Sequence, residues 1–243
     1  MFRNKLYILL LLFTSSICSA QIINTIGVYY EINSTKPLFI SNRPVLSGDT
    51  LEYKDTNVYD NSGNAFGVNI EKFFGKKNHF KFTTGVGYSK RGYSFDGGGK
   101  FLLADGTSKL YTLKKIVEYT DIELPIIFSY QHKIKRIRVF AGTGVILGFK
   151  IEDSYTTIIY KDPQEYITYI DAYNDPGPER LNIFFTGGIG YFLNNNLGIF
   201  IAPNLRINIR PFFGNGVVAF DEETKTKSLK VSLKYIIQNN KED

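Results

Sequence analysis

Cysteine is all but absent from this chain, and the single one, Cys18, falls within the first twenty residues. Residues 21–243 therefore hold no thiol, which excludes disulfides and thiolate metal sites. There are only two histidines, His79 and His132, so a clustered imidazole site for a transition metal also lacks its ligands. No stretch reaches the roughly eighteen consecutive apolar residues of a membrane-crossing helix. Tryptophan is missing and methionine occurs once, while 20 Phe, 17 Tyr and 22 Gly are present. That balance is poor for a helical protein and good for strands and turns.

The first twenty residues stand apart. Arg3 and Lys5 precede the apolar run Leu6–Phe13, and Cys18-Ser19-Ala20 offers small residues at a cleavage site. Met1–Ala20 reads as a secretory signal peptide cut before Gln21, leaving one domain over 21–243. Acylation at Cys18 would be the alternative, but Ile17 occupies a position where that signal wants a small residue. Removing Arg3 and Lys5 from 29 basic residues leaves 27 against 23 acidic ones, a net charge of +4. The excess is mild and scattered through the strands, so no nucleic-acid partner is expected.

The most informative stretch is Arg136–Ile151. Its odd positions, from Ile137 and Val139 to Phe149 and Ile151, are almost all apolar; its even positions, from Arg136 and Arg138 to Gly148 and Lys150, are mostly charged or glycine. Successive strand residues point to opposite faces, so a period of two gives one greasy face and one polar or narrow face. The run is about twice the usual strand length of five or six residues. A tilted strand that crosses a bilayer needs roughly nine to eleven.

The same alternation recurs in Gln21–Glu31, Ala65–Phe74, His79–Tyr93, Val117–Tyr130, Leu181–Leu193, Leu197–Arg210 and Lys227–Gln238. Together with Arg136–Ile151 these make about eight strands. Short turns at Gly75–Asn78, Gln131–Lys135 and Asn194–Asn196 alternate with long connections at Ser34–Gly63, Ser94–Leu110, Glu152–Arg180 and Pro211–Lys225. This is the layout of an all-β, antiparallel up-and-down barrel in an outer membrane, with turns in the periplasm and loops outside. The lipid bilayer is then its first partner.

The segment Tyr119-Thr-Asp-Ile-Glu-Leu-Pro-Ile-Ile-Phe-Ser-Tyr130 resembles the signature strand of the PorT-like outer-membrane β-barrel family. The Gly-x-Gly strands at Thr84–Tyr88, Ala141–Gly144 and Gly187–Tyr191 are similar to it too, in a small-barrel layout of the OmpA/OmpX type. The resemblance implies an integral outer-membrane barrel, with some relatives tied to protein secretion. One departure is the tail Asn239–Asp243 after Tyr235, where such barrels tend to end on an aromatic residue; Val231–Ile237 would carry the assembly signal.

The polar faces bring acids and bases to one side. Glu71, Asp121 and Glu123 with Lys81, Arg136, Arg138 and Arg206 are expected to form a charge network in the lumen, joined by Glu31, Arg91, Lys230 and Lys234. Eight strands leave an interior just wide enough for side chains, where unpaired charges are costly. Interlocked ion pairs filling the barrel are therefore expected rather than a conducting path. Asp121 and Glu123 could form an acid/base pair, but they stand among arginines, and both histidines fall at the turn end. No catalytic residues, metal or cofactor are assigned. Gly97-Gly-Gly-Lys100 lacks the Ser/Thr of a phosphate loop, and Asp60–Asn64 lacks the ligand order of a calcium loop.

The long connections remain as the surface for a protein or cell-surface partner, with Tyr155, Tyr160, Tyr166, Tyr169 and Tyr173 crowded into the third. Alternation alone does not say which face is inside. A secreted lipocalin-like barrel, apolar inside and holding a small apolar ligand, is the competing expectation.

Overall fold

The computed structural model describes residues 23–37, 54–102, 108–161, 164–173, 180–209 and 224–237. The signal segment, the Cys18 alternative and the tail after Ile237 lie outside the described residues. Among the described residues nine strands form one antiparallel sheet: β1 (Thr25–Pro37), β2 (Lys54–Phe74), β3 (Phe80–Leu102), β4 (Ser108–Ile134), β5 (Ile137–Lys161), β6 (Gln164–Tyr173), β7 (Arg180–Phe192), β8 (Leu197–Ile209) and β9 (Thr224–Ile236). Eight of them close into a barrel, each paired with its neighbour, as β4 pairs β5, β5 pairs β7 and β1 pairs β9. Closure leaves no sheet edge within the barrel wall, so backbone groups in a bilayer find partners inside the sheet.

The closing seam runs from Thr25↔Ile236 to Pro37↔Thr224. At one end Asn24 ties three strands together. Its N–H donates to Glu71 O at 2.9 Å, its carbonyl accepts from Ile237 N at 2.9 Å, and its Oδ1 accepts from Phe73 N at 2.8 Å. Near the other end the Thr35 and Thr226 hydroxyls share a hydrogen bond of 2.9 Å.

The faces are sorted as a bilayer demands. Val28, Phe66, Phe128, Ile189 and Leu229 point outward and are about half exposed, whereas Glu31, Glu71, Asp121, Glu123, Arg91 and Arg206 point inward and are buried. This overturns the lipocalin-like expectation, because a barrel with an apolar ligand cavity needs the reverse. On β3 the outward apolar run is Phe80 to Tyr88, and the exposed Lys90–Glu118 pair at 3.4 Å marks its upper limit. That is nine residues, matching a tilted crossing.

The long connections differ from expectation. Much of Ser34–Gly63, Ser94–Leu110 and Glu152–Arg180 is strand: β3 and β4 continue beyond the apolar band, and Gly97–Gly99 pair with Tyr111–Leu113. Asp60–Asn64 is extended within β2 at a register shift. β5 outruns its neighbour β7, whose pairing stops at Gly148↔Arg180. A register irregularity follows between Thr120 and Asp121 on β4, and β6 takes over as partner from Asp153↔Tyr173 onward. Polar, Tyr- and Gly-rich sequence hid these extensions, since without a bilayer on one side the two-residue hydrophobic rhythm fades.

The opposite end is made of short turns. Gly75, Lys77 and Asn78 adopt positive φ between β2 and β3, as does Lys135 between β4 and β5. The second turn is Lys135–Arg136, two residues long, because β4 continues to Ile134. In the third, Asn194 Oδ1 accepts from Asn196 N at 2.9 Å and Leu197 N at 2.8 Å.

Inward glycines make room for large side chains. A Cβ on Gly87 would collide with the hydroxyl of Tyr29, itself buried at 7% exposure. Replacing Gly87 by Leu should therefore overpack the lumen and destabilise the barrel by about 1–3 kcal/mol. Denaturant unfolding in detergent, followed by the mobility difference between heated and unheated gel samples, measures this. Wild-type stability for Gly87→Leu would mean that Tyr29 does not lie across β3.

Candidate functional site

The site is the lumen, and it is built by side chains that alternate inward from all eight barrel strands. Arg206 on β8 crosses it. Its Nη1 donates to both oxygens of Glu123 on β4 at 2.8 Å, and its Nη2 donates to Glu31 Oε1 on β1 at 2.7 Å. Arg91 on β3 also pairs with Glu123 Oε1. Asn204 Nδ2 donates to Glu31 Oε2 at 3.3 Å. Guanidinium forks suit this role, since they engage two carboxylates in fixed geometry. The guanidinium of Arg206 also lies 5.5 Å from the centre of the Phe184 ring.

Two further groups flank that bridge. Asp121 pairs with Arg180 at 2.5 Å, and Arg180 lies 4.2 Å over the Tyr119 ring. Toward the short turns, Glu71 Oε1 accepts from Lys234 Nζ at 2.6 Å and Thr83 Oγ1 at 3.4 Å, and pairs with Lys81 Nζ at 3.0 Å. Below these ammoniums Phe140, Phe192, Phe200, Ala202 and Ile236 form an apolar cluster. Lys81 lies 4.7 Å over Phe140 and Lys234 lies 4.4 Å over Phe200.

The structure brings six of the seven expected network residues into this lumen: Glu71, Lys81, Asp121, Glu123, Arg138 and Arg206. Arg138 sits at the short-turn mouth, 5.0 Å from the Phe73 ring and 4.6 Å from the Phe192 ring. Arg136 does not join them. It is exposed in the two-residue turn, because the inward parity of β5 starts only once the strand begins at Ile137. Arg180 ends the Glu152–Arg180 stretch that reads as a loop in the sequence, yet it is the first residue of β7. The signal that could have found it is parity, since Arg180, Asn182 and Phe184 fall in one inward row of β7.

The histidines lie where the topology placed them, at the short turns. Their rings stack at 5.8 Å with 10° between planes, and His79 Nδ1 lies 3.0 Å from Gln131 O. Among the described residues no three His, Cys, Asp or Glu side chains gather as metal ligands. Above the barrel, the carboxylate of Asp96 holds the exposed Tyr59 phenol above its ordinary pKa.

A family model described as an outer membrane protein beta-barrel domain matches residues 26–236. No curated protein matches the chain in sequence. Similar solved structures include Neisserial surface protein A, at 10% identity over 87% of this chain and 97% of that one, with a TM-score of 0.39. The outer membrane protease OmpT from Escherichia coli is 14% identical over 89% of this chain and 94% of its own, with a TM-score of 0.37. The outer membrane protein OprG from Pseudomonas aeruginosa is 11% identical over 90% and 98%, with a TM-score of 0.33.

Because Arg206 holds two buried carboxylates on opposite walls, Arg206→Met should cost about 3–5 kcal/mol, the usual penalty of leaving a buried charge unpaired. Glu123→Gln in the same background should recover part of it. Refolding titrations into lipid vesicles measure both, and additive losses in the double variant would contradict a shared network.

Proposed function

The chain belongs to the outer membrane protein β-barrel domain family, and from that premise we propose that it is a closed, non-conducting barrel working through the sheet it raises outside the cell. It resides in the outer membrane, and the bilayer surrounds the apolar band. Barrels of this kind keep short turns in the periplasm, which puts the extended ends of β2 to β6 outside. The observation that carries the reading is the pairing of long strand extensions with a filled lumen. Beyond Lys90, β3 runs on for roughly 40 Å at strand rise, paired with β4 to its end. Inside, the Arg206 bridge ties opposite walls together.

A barrel that is filled and charge-locked offers no path to a solute, so the working surface is the outer sheet. The extended strands β5 and β6, whose sequence carries Tyr155, Tyr160, Tyr166, Tyr169 and Tyr173, offer a surface for a protein or cell-surface partner. An enzymatic role finds little support, since both histidines lie at the periplasmic turns. The narrower PorT-like reading, with its link to protein secretion, is supported by the Tyr119–Tyr130 motif. Asp121 and Glu123 of that motif are the acids that Arg180, Arg91 and Arg206 hold.

Two measurements test this. Purified protein in a planar bilayer should show no steady conductance steps, and a large stable open channel would contradict the filled lumen. An epitope inserted after Tyr173 should be labelled by antibody on intact cells, whereas one beside Lys77 should be labelled only after the outer membrane is permeabilised. The opposite pattern would mean that the barrel is inverted and the extended sheet faces the periplasm.

A further inference from the structure

A cavity of about 30 Å³ lies in the periplasmic half of the lumen, lined by Lys81, Lys230, Lys234, Glu71, Ser129 and Ser232 among others. Its charges do not cancel. In the outer half, Glu31, Glu123 and Asp121 face Arg206, Arg91 and Arg180, one guanidinium for each carboxylate. Glu71 is then the one carboxylate lining a cavity that three ammoniums also line. A single oxygen of Glu71, Oε1, serves both Lys81 and Lys234. Lys230 lies opposite Glu31 in register, but the Glu31 oxygens already accept from Arg206 and Asn204. Its ammonium is attracted to Glu31 and also rests 3.9 Å over the Tyr29 ring.

Two excess positive charges in a closed sheet within a bilayer carry a steep desolvation cost. A negative ion in the cavity would offset it directly. The lining suits one: ammonium groups only donate hydrogen bonds, and hydroxyls such as those of Ser129 and Ser232 can turn to donate. Size sets the class. The cavity has room for about two waters, enough for a halide ion. We propose that the lumen holds a buried binding site for one small monovalent anion, of the chloride class, between Lys81, Lys230 and Lys234. The ion is a resident that completes the lumen's charge balance, with Phe140 and Phe200 beneath the lysines.

The test uses full-length mature protein refolded separately in sodium chloride and in sodium gluconate of equal ionic strength, so that entry into a closed lumen is not limiting. A ligand that binds only the folded state raises the unfolding temperature with its concentration. Chloride should raise it saturably by a few degrees over gluconate. The Lys230→Gln variant should lose that difference, while Lys227→Gln, altered at an exposed position of β9, should keep it. Crystals grown in sodium bromide give a variant-independent reading, with an anomalous bromide peak expected between the three lysines. Equal unfolding temperatures in the two salts, or water in the cavity with no bromide peak, would overturn the proposal. A stabilisation that phosphate matches and Lys230→Gln retains would overturn it too, as an ionic effect on the surface.

Discussion

Everything in this barrel follows from how little room eight closed strands leave. At that strand number the interior holds side chains and little else, so an inward charge finds its partner across the lumen rather than in water. Arg206 shows how this is met. One guanidinium reaches Glu123 on β4 and Glu31 on β1, so a single residue of β8 fixes two strands that are distant in sequence. Arg91 adds a second cation to Glu123 from β3. The network is thus a set of cross-lumen ties between strands of the closed wall.

Outside the bilayer the constraint relaxes, and the chain uses the freedom. The wall is closed only where lipid requires closure. Beyond Gly148 the partner of β5 changes from β7 to β6, so the barrel opens into a sheet built from β2, β3, β4, β5 and β6. An open sheet in lipid would strand its edge groups, but above the membrane water can satisfy them. The hand-over at β5 therefore marks the physical boundary between the closed barrel in the membrane and the open sheet beyond it.

The same boundary explains what could be read from the sequence. Between Phe80 and Tyr88, or Ile122 and Tyr130, one face meets lipid and the other the lumen, and the strict alternation makes strand, face and approximate partner legible. That Glu71, Lys81, Asp121, Glu123 and Arg206 share one face follows from parity alone, and the structure makes that face the inward one. Beyond the bilayer both faces see water, so the strand character of Gly97–Gly99 and of β6 left no two-residue signature. Arg136 departs from the inward face for a related reason: it lies in the turn before β5 begins, where strand parity does not set its direction. Arg180 continues the inward row of Asn182 and Phe184 by one step, beside the polar stretch that masks the start of β7. What no periodicity can give is which acid meets which base, since that depends on how eight strands stagger around the barrel.

The division of labour between arginine and lysine adds a last step. Where carboxylates lie on opposite walls, guanidiniums join them, because a planar fork can hold two acceptors at once. Toward the periplasm the cations are lysines, compact point charges that share one oxygen of Glu71 and rest on aromatic faces. An ammonium makes weaker geometric demands, so its partner can be changed without rebuilding the wall. The outer half of the lumen is accordingly locked by its own residues, and the periplasmic half is the part whose charge can be completed from outside the chain. Rigidity sits beneath the exposed sheet, where a partner would pull on it. Adaptable charge sits at the far end, where it disturbs that sheet least.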